Sequence, residues 1–332
     1  MKKVRLKVCA SAAVFICLVL IIIPDHSFAQ QAITKYQIYN ADCFYQGKHW
    51  FIIRKFNKGG TPNYLAVDPN TLEASIIDPP STIVKESTWK QIQNKYPDVP
   101  YFRAIKRAAQ QSFAIQDAGI IHGYPQEKGI TLTIDLCPSH KPLDRVIFNS
   151  LINEFKKTER PVPVALSISG RFMLTHADDI NWLKGLVDAG ELSITWVNHT
   201  YNHHYSPGVP LQENFLLKPG TDINFEILGT ELAMLQHGLT PSVFFRFPGL
   251  VSDNRVVDKV LTYGLIPVGS DAWLAKGQNA NQGSIVLIHG NGNEPIGVND
   301  LILLLQTNKA LVFKREWLLY DLRESVEDEF KN

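Results

Sequence analysis

The stretch NHTYNH, Asn198 to His203, carries two histidines four residues apart and follows the apolar run at 192–197. We expect the apolar run to be a β-strand and the stretch after it to be a helix or a tight helical turn. Side chains four residues apart lie on one face of a helix, so His199 and His203 would meet at the mouth of a sheet. Imidazoles placed in this way suit a divalent metal, although paired histidines also occur as ordinary polar loop residues.

Predicted strands and helices alternate on both sides of this stretch. Strands are expected at 130–136, 162–168 and 192–197, and helices at 143–157, 178–189 and 224–236. The pattern continues through the apolar segments 243–245, 256–263, 265–268 and 284–288. Such alternation predicts an α/β fold with a mostly parallel sheet, either closed as a barrel or open.

In folds of this kind the chemistry lies in loops at the carboxyl ends of the strands. The polar residues that directly follow the predicted strands are therefore the candidate site. They are Asp135, the stretch 198–203, Arg246, Asp271 with Trp273, and His289.

A small β-rich module is predicted before the barrel. Strands are expected at 49–56, 64–67 and 74–77, with helices near 87–95 and 101–113, and we place the two domains at 30–115 and 116–325. The aromatic side chains of the module could form its core or a sugar-stacking face, and the core is the commoner role. They are Tyr39, Phe44, Tyr45, Trp50, Phe51 and Tyr64.

The N-terminus has the three parts of a secretory signal peptide. A basic segment at 2–7 precedes the apolar run 8–23, and Ser27-Phe28-Ala29 offers small residues for cleavage before Gln30. The apolar run is shorter than the roughly 20 residues that a spanning helix needs. We therefore expect residues 1–29 to be removed and the protein to be exported, periplasmic or secreted, without stable membrane insertion.

Charge and cysteine content narrow the class of partner. Loss of residues 1–29 removes four Lys or Arg and one Asp, which takes the formal net charge from +1 to −2. Without a basic surplus, nucleic acid is a poor partner. Cys43 and Cys137 remain, and a disulfide between them is an open possibility in an oxidising compartment.

Five segments, in this order, resemble the five motifs of the polysaccharide deacetylase family, also called carbohydrate esterase family 4. They are Thr131 to Asp135 with Pro138-Ser139, Asn198 to His203, Phe245 to Gly249, Ser270 to Trp273, and Ile285 to His289. The resemblance covers about residues 128–320 and does not extend to the β-rich module. It implies a distorted (β/α) barrel, usually of seven strands, and metal-dependent hydrolysis of N-acetyl groups on N-acetylated sugars.

The resemblance also assigns roles. His199 and His203 match metal ligands, and Asp135 matches the general base that takes a proton from water. His289 matches the general acid that protonates the departing amine. Arg246 would hold and tune the aspartate, and Trp273 would wall the pocket for the acetyl methyl group. A backbone N–H near Gly249 could help to stabilise the tetrahedral oxyanion.

The chain departs from the family pattern in its first, third and fourth motifs. The family's usual second Asp, a metal ligand, is Leu136 here, Ala272 stands where an Asp usually precedes the Trp, and Gly249 replaces an aromatic residue. Hydrolytic zinc sites generally use three protein ligands, so one ligand is missing. Asp135 ranks first as its replacement, and zinc is the default metal. Other candidates are His140, His204, Asp271, Glu294 and Cys137.

These features favour a polysaccharide deacetylase that acts on peptidoglycan or a related amino-sugar polymer. The retained histidines favour catalysis. The alternative is a catalytically impaired glycan-binding or wall-associated protein on the same barrel, which Leu136 and Ala272 favour. Hydrolysis of a non-sugar amide on the same barrel is a third reading, since a fold does not fix a substrate.

Overall fold

The computed structural model describes residues 32–78, 85–125 and 128–326, all of which belong to one compact unit. The predicted signal peptide, residues 1–29, lies outside the described residues. The division into two domains at residues 115 and 116 stays a prediction.

An antiparallel sheet of five strands forms the N-terminal part, in the order β4-β3-β2-β1-β5. Its strands are β1 (Ile33–Tyr45), β2 (Lys48–Lys58), β3 (Thr61–Val67), β4 (Ala74–Ile77) and β5 (Lys85–Glu86). The hairpin between β2 and β3 turns at Gly59-Gly60, where both glycines have positive φ. This is the turn that the glycine pair predicts.

Two helices cover one face of this sheet, α1 (Trp89–Lys95) and α2 (Pro100–Gln110). Helix α1 begins at a capping box, in which Thr88 and Gln91 bond each other's backbone N–H. Phe51 packs against Tyr101 and Phe102 of α2. The aromatic residues of the module are divided in role, because Phe51, Trp50 and Tyr64 are core whereas Phe44 is 69% exposed.

The remaining strands and helices include the predicted ones and several that were not predicted. They are β6 (Gly129–Leu136), α3 (Arg145–Phe155), β7 (Val162–Ile168), α4 (Gly170–Thr175), α5 (Ala177–Asp188), β8 (Leu192–Asn198), α6 (Ile223–Gln236), β9 (Phe244–Phe245), α7 (Asn254–Thr262), β10 (Ile266–Pro267), β11 (Ala272–Trp273), β12 (Ile285–His289), α8 (Pro295–Phe313), β13 (Leu318–Leu319) and α9 (Leu322–Ser325).

Seven of these strands form one parallel sheet, in the order β10-β9-β8-β7-β6-β12-β11, and β13 pairs with the start of β6. A flat sheet of seven strands would hold its edge strands about 29 Å apart. The chain passes from the β10 edge to the β11 edge through only four residues, 268–271, which bridge less than about 20 Å. The sheet is therefore curled, and the predicted distorted (β/α) barrel with its β-rich N-terminal module is confirmed.

Strand β6 shows how the curled sheet positions the site. All eight of its residues are buried, because both faces of the strand are covered. Ile130, Leu132, Ile134 and Leu136 belong to the apolar core between sheet and helices. The alternate residues Thr131, Thr133 and Asp135 point to the other face, the inside of the barrel.

Within the described ranges one helix, α8, is long and apolar enough to cross a membrane by length and composition. Its residues Leu301 and Leu305 are buried in the barrel core, whereas Leu303 is 62% exposed. One side of the helix thus packs on the barrel core, and the other side is exposed.

A buried ion pair joins the N-terminal sheet to the barrel. The Arg54 Nε and Nη2 donate to both oxygens of Glu231 on α6, at 2.7 and 2.8 Å, and Tyr36 Oη donates to the same carboxylate at 2.9 Å. Both charged side chains are at most 1% exposed. Because two charges satisfy one another in the interior, loss of either one leaves an uncompensated buried charge.

We therefore expect Arg54→Met to lower the free energy of unfolding by about 3–5 kcal/mol, measured by urea denaturation. The double variant Arg54→Met/Glu231→Leu should recover most of that loss, since no charge then remains buried. An Arg54→Met protein within about 1 kcal/mol of wild type would contradict this account.

Candidate active site

Asp135 and Cys137 lie at the carboxyl end of β6, at the same end of the barrel as His289 of β12, which pairs with Asp135. Residues two apart in an extended chain share a face. Asp135 and Cys137 therefore face the barrel interior, while Leu136 between them is fully buried in the apolar core. The position at which the family usually carries its second Asp thus contributes no polar group to the site.

His199, which directly follows β8, is fully buried, and a hydrogen bond at Nδ1 fixes the orientation of its ring. Its Nδ1 bonds the carbonyl oxygen of Arg246 at 2.9 Å. A carbonyl can only accept, so Nδ1 carries the hydrogen and the lone pair of the neutral ring is on Nε2. That Nε2 lies 3.6 Å from Cys137 Sγ and 3.6 Å from Asp135 Oδ2.

The expectation of a helix across 199–203 is wrong. The segment is an irregular loop, in which Thr200 and His203 have the left-handed φ values 66° and 46°. Within the loop, Thr200 N–H donates to the Asn198 side chain and Asn202 N–H donates to Glu226. The loop nevertheless brings the two imidazoles together, with ring centroids 4.7 Å apart.

The residues present fit a divalent metal. One donor atom each from Cys137, His199 and His203 forms a group in which all three atoms lie within 4.8 Å of one another. In the described part of the chain, His203 Nε2 and Asp135 Oδ1 are buried without a hydrogen-bond partner. Buried polar atoms without partners are uncommon, and here they surround a set of donors that metals bind.

Arg246 is fully buried on the other side of Asp135. Its Nη2 donates to Thr133 Oγ1 at 2.7 Å, and its Nε and Nη1 have no partner in the described residues. Burial lowers the pKa of Arg246, against the attraction of Asp135 and Asp117. The predicted pairing of Arg246 with Asp135 therefore acts through charge, while the hydrogen bond that positions the guanidinium comes from Thr133.

His289 is held by a carboxylate. Its Nδ1 lies 2.8 Å from Glu294 Oε2, and the same oxygen accepts a hydrogen bond from Trp273 Nε1 at 2.8 Å. Burial lowers the pKa of His289, but Cys137, Glu294 and Asp135 raise it, so that it lies well above its usual value. A raised pKa keeps this imidazole protonated, and able to donate a proton, at neutral pH.

The pKa of the Cys137 thiol is strongly shifted by its surroundings. Burial raises the pKa of this thiol, but the charges of His203 and His289 and the polar contact with His199 lower it well below its usual value. The thiolate form is the one that binds metals. Cys43 lies in β1 and is also a free buried cysteine, so the disulfide considered from the sequence is not formed.

A cleft of about 1030 Å³ opens over these residues. Its lining includes Cys137, His203, Trp273, His289 and Glu294. Trp273 is 9% exposed. Lys276 Nζ lies over its ring, 3.5 Å from the ring centroid. The predicted wall residue and the predicted acid thus share one cleft with two of the three candidate metal donors, Cys137 and His203.

The remaining ligand candidates from the sequence are not part of the group of three donors. His140 is exposed, and His204 Nε2 bonds Ser206 Oγ at 3.0 Å. Asp271 contacts His122 Nδ1 at 2.7 Å and accepts from Ile285 N–H. Ala272 is buried in the apolar core, so the fourth motif contributes Trp273 without a carboxylate.

Gly249, which stands where the family usually has an aromatic residue, lies in a short turn at 248–250. Gly249 has φ 59°, and its carbonyl accepts from Gln116 Nε2 at 2.7 Å. The next two N–H groups, of Leu250 and Val251, bond the carbonyls of Phe247 and Pro248. An oxyanion donor on this turn would therefore be the N–H of Gly249 itself.

Two supporting residues were missed in the sequence. Thr133, which holds Arg246, could have been found from its two-residue offset from Asp135 on one strand. Glu294 was considered only as a metal ligand, and nothing in the sequence marks it as the partner of His289. That pairing depends on how the loop after β12 folds back.

No protein-family model matches this chain. Solved structures that resemble it include a family 4 carbohydrate esterase from Bacillus anthracis, at 17% identity over 68% of this chain and 91% of that one, with a TM-score of 0.47. PdaA from Bacillus subtilis, a family 4 carbohydrate esterase, is 16% identical over 72% of this chain and 90% of its own, with a TM-score of 0.46.

A family 4 pseudoenzyme from Bacillus anthracis is also similar, at 12% identity over 91% of this chain and 92% of its own, with a TM-score of 0.44. The family that the motifs resemble is thus the family found among these structures. With identities of 12–17% and TM-scores of 0.44–0.47, these likenesses carry no conclusion about the activity of this chain.

Proposed function

We propose that this protein is a metal-dependent deacetylase that removes N-acetyl groups from an N-acetylated amino-sugar polymer, such as peptidoglycan. The observation that carries the proposal is that three metal-donor side chains lie together and two of them line the same cleft as the carboxylate-held His289. Amide hydrolysis needs an activated water, an activated carbonyl and a proton for the leaving amine, and this cleft offers a group for each.

His199 and His203, with one further protein ligand, would hold the metal, and zinc suits this donor set. When bound, a divalent metal polarises a carbonyl and lowers the pKa of water. The hydrogen bond from His199 to the Arg246 carbonyl keeps the binding nitrogen directed into the site.

Asp135 takes the role of general base in this proposal. Its Oδ2 lies 3.6 Å from His199 Nε2, and its Oδ1 has no partner among the described residues, which leaves an oxygen able to accept a proton from water. The guanidinium of Arg246 attracts this carboxylate, and Thr133 holds the guanidinium in place.

His289 takes the role of general acid. Glu294 orients the ring through Nδ1, so the proton is donated to the amine from the other ring nitrogen. An amine leaves far more easily after protonation than as an amide anion. Trp273, fixed by its own bond to Glu294, forms a wall of the cleft next to His289, with ring centroids 5.8 Å apart.

A polymeric substrate is supported by the open cleft and by the predicted export signal. A surface cleft of this volume accepts several sugar units, and an exported enzyme meets wall polymers first. The proposal accordingly places the protein outside the cytoplasm, with no nucleic acid among its partners.

The direct test is acetate release from an N-acetylglucosamine oligomer, before chelation, after chelation and after return of Zn²⁺. We expect release that disappears with the chelator and returns with the metal. Full metal occupancy without acetate release from this oligomer or from peptidoglycan would overturn the deacetylase proposal.

The second candidate is a glycan-binding protein without turnover. Leu136 and Ala272 favour it, because both occupy positions where the family usually carries carboxylates and both are buried in the core. It predicts retention on insoluble glycan with no acetate release at any metal concentration.

The pairing of His289 with Glu294 predicts a specific pH effect. Glu294 raises the pKa of His289, so Glu294→Gln should lower that pKa. The acid form would then be lost at a lower pH, and the alkaline limb of the kcat/KM profile should move toward acid. Glu213→Gln, an exposed carboxylate, is the control, and an unmoved alkaline limb in Glu294→Gln would contradict the role of Glu294.

A further inference from the structure

We propose that Cys137 is the third protein ligand of the metal, so that the centre is Cys-His-His rather than the Asp-His-His set that the family resemblance implies. This inference rests on the proposed function only in taking the cleft to hold a divalent metal. It departs from the sequence-based ranking, which placed Asp135 first.

The distances support a shared ion. Zinc bonds sulfur at about 2.3 Å and imidazole nitrogen at about 2.0–2.1 Å, so tetrahedral coordination places the two donors about 3.6 Å apart. Cys137 Sγ and His199 Nε2 are 3.6 Å apart. The His203 donor lies within 4.8 Å of both, a separation that a small shift of its loop closes.

The course of the chain explains why the ligand moves by one residue. Strand β6 stays extended through Leu136, which sends that side chain into the apolar core and turns Cys137 back toward the site. Asn291 Nδ2 then donates to the Cys137 carbonyl at 2.6 Å, which fixes the backbone just beyond the strand. A ligand at residue 137 is therefore held as firmly as one on the strand itself.

Asp135 is a weaker candidate for the same role. Among the described residues it lies outside the group of three mutually close donors, although it approaches His199. With Cys137 as ligand, Asp135 stays free to act as the base, and the two functions of the family's paired aspartates fall on residues 135 and 137.

A thiolate changes which metals the site accepts. Sulfur is a soft ligand that favours Zn²⁺ and similar ions, whereas carboxylates suit Mg²⁺ and Mn²⁺. The proposed centre should therefore discriminate more strongly for Zn²⁺ over Mn²⁺ than the same centre with an aspartate at residue 137.

The test is a Co²⁺ titration of the full chain, followed by near-UV absorption, where a thiolate bound to Co²⁺ gives an intense charge-transfer band. The variants are Cys137→Ala, Cys137→Ser and Cys137→Asp, with Cys43→Ala as the control for a buried cysteine far from the donor group. Far-UV circular dichroism checks that each variant folds, and the Cys137→Asp variant keeps a ligand at the position.

We expect the band in wild type and Cys43→Ala and its loss in all three Cys137 variants. Changes to groups that merely support a ligand cost 10–100-fold in affinity, so loss of the ligand in Cys137→Ala should weaken Zn²⁺ binding by at least about 100-fold. Cys137→Asp should bind without the band and with a reduced preference for Zn²⁺ over Mn²⁺.

A band that persists in Cys137→Ala, or a wild-type Co²⁺ protein without the band, would overturn the proposal. The readout is separate from catalysis. A band that depends on Cys137 in a protein that releases no acetate would uphold the ligand and overturn the proposed function, whereas acetate release that depends on a metal but not on Cys137 would do the reverse.

Discussion

His199→Ala is expected to abolish metal binding and to reduce acetate release by at least about 10³-fold, because a metal contributes several kcal/mol to the barrier and each 1.36 kcal/mol is tenfold in rate. His199 is central to the site. It is fully buried, contacts both Cys137 and Asp135, and is held by the Arg246 carbonyl. The measurements are bound Zn²⁺ by elemental analysis and the initial rate of acetate release.

Removal of a buried imidazole also leaves a cavity, so the effect has to be separated from instability. His199→Gln fills more of that space and shows whether the loss follows the ligand or the packing. His237→Ala removes a histidine at the end of α6, outside the cleft lining, and should keep both metal and activity. A His199→Ala protein with wild-type metal content would refute the assigned ligand.

His289→Asn is expected to lower kcat by about 10²–10⁴-fold with bound metal unchanged, which is the usual contribution of a general acid. Asn can still bond Glu294 but carries no proton to donate at neutral pH. Because burial lowers and the neighbouring charges raise the pKa of His289, with a net upward shift, wild type should keep its acid form through neutral pH. The alkaline limb that this group causes should be missing from the variant.

A double variant separates the roles of the two residues. If Glu294 acts through His289, Glu294→Gln should have a clear effect alone and almost none in the His289→Asn background. Additive losses would show that Glu294 acts on its own, through Trp273 or the substrate. Loss of bound metal in His289→Asn would place this histidine among the ligands instead.

The order of strands and helices was predictable because the barrel alternates long apolar runs with helical spacing. The predicted strand at 162–168 and helix at 224–236 agree with β7 and α6 to within a residue. Helix α8 was not predicted, because its exposed side also carries apolar residues, such as Leu303, and the sequence therefore shows no clear amphipathic pattern. The two-residue strands β11 and β13 are too short to leave a pattern in the sequence.

The loop at 199–203 shows where spacing misleads. Two histidines four residues apart suggested a helical turn, but Thr200 and His203 take left-handed φ values that a right-handed helix excludes, and Glu226 of α6 holds the Asn202 N–H. The proximity of the imidazoles was predicted correctly for an incorrect reason. Glu226 is on α6, so its effect on the loop depends on tertiary packing.

The sequence shows that Leu136 replaces the family's second aspartate, but it does not show which residue supplies the missing metal ligand. Leu136 had the right spacing and the wrong chemistry, and several neighbours could have compensated. Successive side chains of β6 point to opposite faces of the strand, which puts Leu136 in the core and Cys137 in the site. This alternation requires the strand to stay extended to its last residue.

In the proposed site, one metal ion lies on His199 and His203, beneath the cleft that His289 lines. The decisive experiment is anomalous scattering at the zinc edge from crystals of the Zn²⁺-loaded protein. We predict one strong peak bonded to the Nε2 atoms of both histidines and to Cys137 Sγ. No peak in the cleft, or a peak bonded to neither histidine, would contradict it.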